Sequence, residues 1–357
     1  MKAEKALIAM SGGVDSSVAA YILQQQGYIC SGSTMRLCDE ELLNAPCQEP
    51  SEDAAKVAER LGIPFFTMPR EADFRKLVVA PFISCYENGG TPNPCVYCNK
   101  QLKFGLFLEE ALRRGFDCIA TGHYAKITQD PKTGRYLLYR AQDGAKDQTY
   151  FLYSLTQHQL AHTRFPLGDM TKESVRAIAA EQGFLNAQKK DSQDICFIPD
   201  GDYVAFMKRY TGKDYPAGNY INKEGAVLGQ HSGAVCYTIG QRKGLGIALG
   251  APAYVCAKDM AANTVTLDTN EQELFRSSLL ANDWNWIPFA ELTAPIRVTA
   301  KVRYRHKEQP ATVYPEANGY ARVVFDEPQR AITAGQAVVL YDGNLVIGGG
   351  TICEILA

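Results

Sequence analysis

The first 27 residues constrain the fold of this chain more than any other stretch. Lys5 to Met10 is a short apolar run, the letters SGGVDS form a polar loop from Ser11 to Ser16, and Ser17 to Gln26 continues with helical periodicity. A strand, a glycine turn and a helix start in this order place backbone N–H groups at the positive end of a helix, which suits a phosphate. The loop contains no lysine, so it is not the GxxxxGK(S/T) loop of γ-phosphate transfer.

Length and composition exclude several classes of protein. The chain has 357 residues, of which 46% are hydrophobic and 21% are charged, as expected of a soluble protein with room for about two or three domains. No stretch approaches the ~20 apolar residues of a membrane span, and no signal peptide precedes the first strand. We therefore expect a cytoplasmic protein with no membrane partner. The odd number of cysteines, 11, argues against a disulfide framework.

The order of the predicted elements divides the chain into three parts. Strands alternate with helices up to about residue 205, which predicts a doubly wound parallel sheet with its ligand beyond the carboxyl ends of the strands. Long helices then stop and glycines become frequent, and from about Asn282 short strands follow one another. This pattern is typical of an antiparallel barrel. We predict an α/β fold with a catalytic domain at 1–205, a small central domain at 206–280 and a C-terminal antiparallel β-barrel at 281–357.

One segment of the C-terminal part carries an unusual charge pattern. The net charge of −2 argues against a globally basic nucleic-acid binder but leaves room for a local basic face. Between residues 296 and 307 the odd positions carry five cations, which are Arg297, Lys301, Arg303, Arg305 and Lys307. On a single strand these side chains would share one face. That face is either a phosphate-binding ribbon or a solvated outer surface.

Three cysteines form the second chemical signal. Cys95-x-x-Cys98 follows a stretch rich in glycine and proline, which predicts a constrained, irregular loop from Asn88 to Lys100. Cys196 lies in a strand-like stretch flanked by acids. A CxxC pair alone indicates a redox pair, half of a zinc site, or chance. Three thiolates leave one position open on a four-site cluster or metal, as a catalytic centre requires.

These motifs resemble a known family. The loop resembles that of the ATP-pyrophosphatases, which split ATP into AMP and pyrophosphate to adenylate a carbonyl oxygen. Seven stretches in order resemble the tRNA-specific 2-thiouridylases over essentially the whole chain: SGGVDSS, NPCVYCN, ATGHYA, KDQTYFL, DSQDICFI, YTIGQRKGLGI and RYRHK. The resemblance implies ATP-dependent 2-thiolation of the wobble uridine of tRNA, by adenylation of uracil O2 and attack of sulfur at C2. It also implies Mg²⁺, the anticodon arm as a partner, and a sulfur donor such as a cysteine desulfurase, a sulfur-relay protein or inorganic sulfide.

The resemblance also assigns roles to individual residues. Cys98 would be the nucleophile and Cys196 would carry a persulfide. The positions implied at ATP are Ala9, Met10, Ser11, Gly12, Gly13, Val14, Asp15, Ser16, Met35 and Gly122. The positions implied at the target base are Asn93, Pro94 and Cys95, and those at other parts of the tRNA are His123, Lys146, Asp147, Gln148, Arg303, Tyr304 and Gln336.

One departure from the family leaves the sulfur chemistry open. Many members have aspartate where this chain has Cys95. With Cys95 as a third thiol, the set of Cys95, Cys98 and Cys196 resembles that of variant thiolases, which hold a [4Fe–4S] cluster on three cysteines. The alternative is a persulfide relay through Cys98 and Cys196 alone.

Two other functions are consistent with the phosphate loop. One is a different adenylating enzyme, of the tRNA lysidine or argininosuccinate type, which would need no cysteine because it transfers an amine. The other is a nucleotide-regulated RNA-binding protein, which would bind ATP without tRNA-dependent release of pyrophosphate.

Overall fold

The structure is a computed structural model that describes residues 3–44, 50–189 and 195–356. Its strands up to residue 211 are β1 (Lys5–Ala9), β2 (Ile29–Arg36), β3 (Phe65–Pro69), β4 (Cys118–Ala120), β5 (Ala125–Gln129), β6 (Tyr136–Arg140) and β7 (Thr163–Arg164). Its α-helices are α1 (Val14–Gln25), α2 (Glu40–Leu43), α3 (Pro50–Leu61), α4 (Glu71–Phe74), α5 (Ala80–Glu87), α6 (Pro94–Tyr97), α7 (Phe107–Arg113), α8 (Gln157–Ala161), α9 (Lys172–Glu181) and α10 (Tyr203–Thr211). Two π-helical segments, Arg75–Val79 and Cys98–Leu106, connect α4 to α5 and α6 to α7.

The first domain is built on a parallel sheet with strand order β3-β2-β1-β4-β7. Residues Ala6, Leu7 and Ile8 of the central strand are fully buried, because helices cover both faces of a parallel sheet. Val18 of α1 and Val175 of α9 pack on one face, and Phe104 and Leu108 pack on the other. The predicted doubly wound parallel sheet is therefore confirmed.

The second half of the chain is mainly strand. The central strands are β8 (Gly218–Ile221), β9 (Val227–His231), β10 (Tyr254–Asp259) and β11 (Thr264–Asp268), in sheet order β10-β11-β8-β9. The C-terminal strands are β12 (Phe275–Trp286), β13 (Ile296–Lys301), β14 (Gln309–Pro315), β15 (Ala321–Arg330), β16 (Ala337–Asp342) and β17 (Leu345–Leu356). Short 3₁₀ helices occupy Thr149–Phe151, Ala234–Cys236, Glu271–Leu274 and Ala317–Gly319.

The C-terminal strands close into an antiparallel barrel. Their order is β12-β15-β14-β13-β16-β17, and β17 pairs again with β12. Closure leaves no free edge among these strands, which removes a site of unwanted strand pairing. The predicted C-terminal antiparallel barrel is confirmed.

The barrel and the first domain share one hydrophobic core. Leu7 of β1 and Ile119 of β4 lie in the same buried cluster as Val339 and Tyr341 of β16. The hairpin of β5 and β6 leaves the first domain and joins the barrel sheet through pairing of β6 with β17. No local sequence signal predicts that this hairpin joins the barrel, because strand pairing between distant segments leaves no such signal.

The CxxC motif lies on a helix and not in the predicted irregular loop. Helical backbone begins at Pro94 and continues through the π-helical segment to Arg113. Proline is favourable at the first helical position, because the N–H that it lacks has no partner there and its φ is already helical. Cys95 and Cys98 are consequently one turn apart on the same helical face.

The stretch around Cys196 is a turn and not the predicted strand. The N–H of Ile198 donates to the carbonyl oxygen of Ile195 at 2.8 Å, so the chain reverses around Cys196. Asp191 to Asp194 of the same motif lie outside the described residues.

The prediction of a five-cation strand face is wrong. β13 ends at Lys301, and the chain turns before β14. The guanidinium of Arg297 is bidentate to Asp326, and that of Arg303 donates to the carbonyl oxygen of Ala331 at 2.9 Å and to Thr333 Oγ1 at 2.7 Å. Alternation in sequence implies a shared face only while the strand continues.

No helix among residues 3–44, 50–189 and 195–356 combines the length and the apolar character needed to cross a membrane.

The contact between barrel and first domain generates a stability prediction. A Cβ at Gly349 of β17 would lie 2.5 Å from the ring of Tyr153 and 2.7 Å from the carbonyl oxygen of Val338. Gly349→Ala should therefore lower the free energy of unfolding by about 1–3 kcal/mol, the usual cost of overpacking. Gly144→Ala is the control, because nothing lies within 4 Å of a Cβ there. Denaturant unfolding measures both, and equal stability of the two variants would contradict this view of the interface.

Candidate active site

The loop after β1 presents backbone donors at the start of α1. Gly12 has a φ of 69°, which favours glycine, and Gly13 occupies the N-cap of α1 without a side chain that could accept a bond. The hydroxyls of Ser16 and Ser17 both donate to the carbonyl oxygen of Gly13, at 3.0 and 3.1 Å. These bonds hold the loop at the start of α1, where the first-turn N–H groups of a helix have no partner within the helix and can bind an anion.

The end of β4 packs directly on this loop. A Cβ at Gly122 would lie 2.6 Å from both the carbonyl carbon of Asp15 and the nitrogen of Ser16, so only glycine fits there. Met35 lies near the end of β2, the neighbouring parallel strand, opposite Met68. The structure therefore gathers the predicted nucleotide positions at one edge of the sheet. Their contact with ATP remains a prediction.

Three further side chains, from distant parts of the chain, bond to this loop. Lys172 Nζ lies 2.7 and 2.8 Å from the two carboxylate oxygens of Asp15, and the Tyr124 hydroxyl donates to Asp15 Oδ1 at 2.9 Å. Asn186 Nδ2 donates to the Gly12 carbonyl oxygen at 3.2 Å and to Ser17 Oγ at 2.9 Å. All three are more than 100 residues from the loop, so no local motif reveals them.

The thiols of Cys95, Cys98 and Cys196 lie within electrostatic range of one another and of Lys103. Burial raises the pKa of Cys98 to about 12; the Lys103 ammonium opposes this rise, and the two other thiols add to it. Burial raises the pKa of Cys95, and the nearby Cys196 thiol adds to the rise. The Lys103 ammonium has the opposite effect and lowers this pKa. Cys95 and Cys196 have exposed surface, although protein surrounds them on their other sides. Cys95 and Cys98 therefore favour the thiol over the thiolate more strongly than an ordinary cysteine does.

A fourth thiol contacts this group. A hydrogen bond with Cys38, followed by burial, raises the pKa of Cys196 well above its ordinary value. Cys38 follows β2 and packs, like Cys98, against the buried cluster that contains Phe74 and Phe82. Over the part of the chain that the structure describes, no group of three or more His, Cys, Asp or Glu side chains is arranged to hold a metal ion. The donor types suit an iron–sulfur cluster, but the thiols are not assembled as its ligands.

Hydrogen bonds from Gln336 of the barrel and Tyr150 of the first domain hold the start of the CxxC helix. Gln336 Nε2 donates to the carbonyl oxygens of Thr91 and Pro92, at 2.9 and 3.1 Å. Asn93, the N-cap residue before Pro94, forms a side-chain hydrogen bond with Tyr150. The amide of Gln336, a predicted tRNA contact, is thus engaged within the chain.

His123 lies next to the glycine that packs on the nucleotide loop and within electrostatic range of Lys103. It follows Gly122, and burial and then the Lys103 ammonium hold its pKa well below 6.5. Its Nδ1 lies 2.7 Å from Thr121 Oγ1. The imidazole is therefore neutral at pH 7.

The remaining predicted tRNA positions lie near the junction of the barrel and the first domain. Burial raises the pKa of Tyr304. The nearby Asp147 carboxylate adds to this rise and the Lys146 ammonium opposes it. Asp147 is buried and accepts from the Thr149 hydroxyl at 2.7 Å, and Gln148 Oε1 accepts from the N–H of Tyr124 at 2.9 Å. The structure brings these positions together, and their contact with tRNA stays a prediction.

Three family profiles match the chain in succession. Residues 4–200 match the "tRNA methyl transferase HUP domain", which is more than half of the chain. Residues 204–268 match the "tRNA methyl transferase PRC-barrel domain" and residues 276–352 match the "Aminomethyltransferase beta-barrel domain".

Relatives of similar length share one name. The tRNA-specific 2-thiouridylase MnmA of Clostridioides difficile (strain 630) is 48% identical over 354 residues, which cover 98% of each chain. That of Acetivibrio thermocellus is 49% identical over 359 residues, covering 99% of this chain and 100% of the relative. A solved structure, the U34-tRNA thiolase NcsA from Methanococcus maripaludis with its [4Fe-4S] cluster, matches with a TM-score of 0.36 at 15% identity, over 58% of this chain and 66% of that one.

The raised pKa of Cys98 generates a prediction for metal-free protein. A thiol with a pKa of about 12 should alkylate on the order of a thousandfold more slowly at pH 7 than an unperturbed thiol. The rate should rise about tenfold per pH unit up to pH 10 without levelling. Lys103→Met should slow it further, because Lys103 lowers this pKa. Iodoacetamide labelling followed by peptide mass spectrometry measures the rate, with the same protein in denaturant as control. A rate that levels below pH 9 in folded protein would contradict the prediction.

Proposed function

The chain belongs to the tRNA-specific 2-thiouridylase family, and on that premise we propose how its residues carry out the reaction. It is an ATP-dependent tRNA sulfurtransferase, and the proposed product is 2-thiouridine at the wobble position. ATP with Mg²⁺ and the anticodon arm of tRNA are the substrates. Because ATP and tRNA both occur in the cytoplasm, we propose that the protein is cytoplasmic. We assign catalysis to residues 1–205, and tRNA binding to the central part at 206–280 and the barrel at 281–357.

One observation supports this function above others: the phosphate loop and the thiols are neighbours. Gly122 packs against Asp15 and Ser16 of the loop, and the next residue, His123, is close enough to Lys103 for that ammonium to lower its pKa. Lys103 acts in turn on Cys95, Cys98 and Cys196. An enzyme that adenylates a base and then attacks the same base with sulfur needs this proximity. An amine-transferring relative would not need the thiols.

The first step is adenylation of the base. Uracil O2 forms a bond to the α-phosphorus of ATP, the bond from that phosphorus to the bridging oxygen breaks, and pyrophosphate leaves with the electron pair. The N–H groups of the loop and of the first turn of α1 hold the phosphates. Mg²⁺ bound to ATP offsets part of their charge. The target base must leave its stack to reach the loop, and we assign its binding to Asn93, Pro94 and Cys95 at the start of the CxxC helix.

The second step replaces the activated oxygen by sulfur. A persulfide on Cys196 attacks C2 with its terminal sulfur, and the C2–O2 bond breaks to release AMP. The Cys98 thiolate then attacks the inner sulfur of Cys196. This forms a Cys98–Cys196 disulfide and frees the 2-thiouridine. An external thiol reduces the disulfide, and the sulfur donor restores the persulfide. Lys103 assists by favouring the thiolate of Cys98 over its protonated form.

The products of ATP cleavage test the adenylation step. The wild-type chain should release AMP and pyrophosphate, and not ADP and phosphate, in a reaction that depends on tRNA. Gly122→Ala should reduce the rate by at least about 100-fold, because its Cβ would displace the start of α1 and misplace the loop. Gly144→Ala should have the wild-type rate. Chromatography of labelled ATP measures the products. ADP as product, or ATP binding without turnover in the presence of tRNA, would exclude the proposed function.

The second prediction decides between the relay and a cluster on three cysteines. Cys95→Asp recreates the commoner family pattern. If Cys98 and Cys196 alone carry sulfur, this variant should thiolate tRNA within about threefold of the wild-type rate with a persulfide donor. If a [4Fe–4S] cluster is required, it should lose iron and activity together. Cys98→Ser and Cys196→Ser should be inactive in either case. Iron, sulfide and thiolated nucleoside must be measured on the same anaerobic sample. Inactive Cys95→Asp protein from an iron-containing wild type would overturn the relay.

A further inference from the structure

The peptide that joins Gly12 to Gly13 can adopt two orientations in the phosphate loop. It lies between two glycines, and glycine accepts positive and negative φ about equally well. Turning this peptide over exchanges the positions of its carbonyl oxygen and its N–H group, as in the change from a type I to a type II turn. One orientation presents an N–H group to a phosphate, and the other presents a carbonyl oxygen, which repels it. The loop therefore needs a residue that selects the first orientation.

Asn186 holds the carbonyl oxygen of this peptide. Its Nδ2 donates to the carbonyl oxygen of Gly12 at 3.2 Å and to Ser17 Oγ at 2.9 Å. Because a carbonyl oxygen can only accept, the amide atom that faces it must be the nitrogen. Asn186 is 4% exposed, and Gly12 is buried as well. The carbonyl oxygen of Gly12 consequently points into the protein.

The N–H group of the same peptide points the opposite way. The described residues contain no cis peptide bond, and the carbonyl and N–H groups of a trans peptide are antiparallel. The N–H of Gly13 therefore faces away from the buried amide, toward the outer side of the loop, where Gly13 is half-buried. Gly13 is the N-cap of α1, so its N–H is one of the four that have no acceptor within the helix. This donor is suited to a phosphate oxygen.

The turn that carries Asn186 is fixed to α9. The N–H of Phe184 donates to the carbonyl oxygen of Ala179 in α9 at 2.9 Å, and Arg176 of α9 donates to the carbonyl oxygen of Ala187 at 3.2 Å. Phe184 and Ala187 are buried in the hydrophobic cluster that α1 and α9 share. The packing of the two helices thus delivers the amide of Asn186 to the loop.

Stability alone does not favour an amide at this place. Asn186 Oδ1 is buried and has no hydrogen-bond partner in the part of the chain that the structure describes. Burying a polar atom without a partner costs free energy, which an apolar side chain of similar shape, such as leucine, avoids. Leucine cannot supply the donor for the carbonyl oxygen of Gly12. That donor is what the amide adds to the loop.

We propose that Asn186 is a positioning residue that sets the orientation of the Gly12–Gly13 peptide, so that an N–H group and not a carbonyl oxygen faces the phosphates of ATP. Asn186 acts through the backbone and does not contact the nucleotide. Without its donor, the carbonyl oxygen of Gly12 turns toward the phosphates and repels them. The Ser17 hydroxyl accepts from the same amide and donates to the carbonyl oxygen of Gly13 at 3.1 Å, which ties both peptides together. The proposal deepens, and rests on, the adenylation step proposed above.

The affinity for pyrophosphate tests this role. Asn186→Leu keeps the approximate shape of the side chain and removes the donor. In calorimetry with Mg²⁺ on the full chain, it should weaken inorganic pyrophosphate by about 10- to 100-fold, the effect of losing a hydrogen bond to a charged group. Adenosine carries no phosphate, so its affinity should fall by less than about twofold. Should Asn186→Leu fail to fold, Asn186→Asp at alkaline pH takes its place, because an ionised carboxylate cannot donate.

Asn88 provides the matched control. Its Nδ2 donates to the carbonyl oxygen of Ser84 at 2.8 Å and to Ser84 Oγ at 3.3 Å. These are the same two kinds of acceptor, but they lie at the C-terminal end of α5. Asn88→Leu should bind both ligands as the wild type does. Equal losses of pyrophosphate affinity in Asn88→Leu and Asn186→Leu would overturn the proposal.

A second substitution distinguishes a turned peptide from a general disturbance of the loop. Gly13 has a φ of −95°, and turning the peptide would move this angle into the positive region, which alanine disfavours. A Cβ at Gly13 would lie 3.5 Å from Ser11 Oγ, an ordinary contact, so alanine fits the native orientation. In a double-mutant cycle, Asn186→Leu should therefore weaken pyrophosphate by less than about threefold in the Gly13→Ala background. An effect of the same size in both backgrounds refutes the role of Asn186.

The amide signal of Gly13 and the rate of turnover give two further readouts. In protein labelled with ¹⁵N-glycine, the Gly13 signal is identified by its loss in Gly13→Ala. It should move downfield when pyrophosphate is added to the wild type, as a hydrogen-bonded N–H does, and it should stay in place in Asn186→Leu. The kcat for tRNA-dependent pyrophosphate release should fall in Asn186→Leu while the KM for tRNA stays unchanged. A Gly13 signal that ignores pyrophosphate in the wild type refutes the proposed donor.

The outcomes that overturn the proposal are distinct from those that overturn the function. Equal losses of pyrophosphate and adenosine affinity in Asn186→Leu, or no loss, refute the role of Asn186 even if the wild type releases AMP and pyrophosphate. Formation of ADP by the wild type refutes the adenylation step, whatever Asn186 does to pyrophosphate binding.

Discussion

The close approach of two strand ends decides the chemistry of this protein. Gly122, just beyond β4, lies against the backbone of Asp15 and Ser16 so tightly that a methyl group would not fit. This contact sets the distance between the phosphate loop after β1 and everything that follows β4, including His123. Since β1 and β4 are neighbouring parallel strands, their carboxyl ends meet at one edge. A glycine at the crossing allows the phosphate loop and the chain beyond β4 to lie in direct contact.

The barrel supports this arrangement from the other side. Gln336 holds the chain before the CxxC helix through two carbonyl oxygens, and the Tyr150 hydroxyl donates to the carbonyl oxygen of Ala337 at 3.0 Å. Leu7 and Val339 share one hydrophobic cluster. The barrel is consequently part of the structure that positions the CxxC helix. The guanidinium of Arg303, a predicted tRNA contact, is bonded to the carbonyl oxygen of Ala331 and to Thr333 within the chain.

Electrostatics explain how reactive thiols can coexist beside a nucleotide that carries several negative charges. Burial raises the pKa of the Cys95 and Cys98 thiols, which disfavours the thiolates that would repel the phosphates. The Lys103 ammonium opposes the effect of burial on these thiols, because it lowers the pKa of each of them. It also lowers the pKa of His123. A single ammonium thus links the protonation states of the sulfur site and of the imidazole next to the loop. Asp15 and Lys172 form an ion pair beside the loop after β1.

The sequence by itself determined the elements whose signals are local. The apolar run of β1, the glycine turn and the amphipathic helices predict the parallel sheet, and the short strands after Asn282 predict the barrel, because periodicity follows from which face is buried. The order of the motifs identified the family, and the spacing of Cys95 and Cys98 indicated a thiol site. The glycines and prolines around the CxxC motif predicted an irregular loop. The structure has a helix there instead, because proline is tolerated at the first position of a helix, which Pro94 occupies.

Only the tertiary structure decided which distant residues meet. Lys172 reaches Asp15, Cys38 contacts Cys196, the β5–β6 hairpin joins the barrel, and Arg303 turns inward. Each of these contacts joins segments separated by many residues. The pattern of side chains within one segment carries information about its own buried face, but none about which other segment will cover it. That choice is made by packing of the whole chain around its shared core.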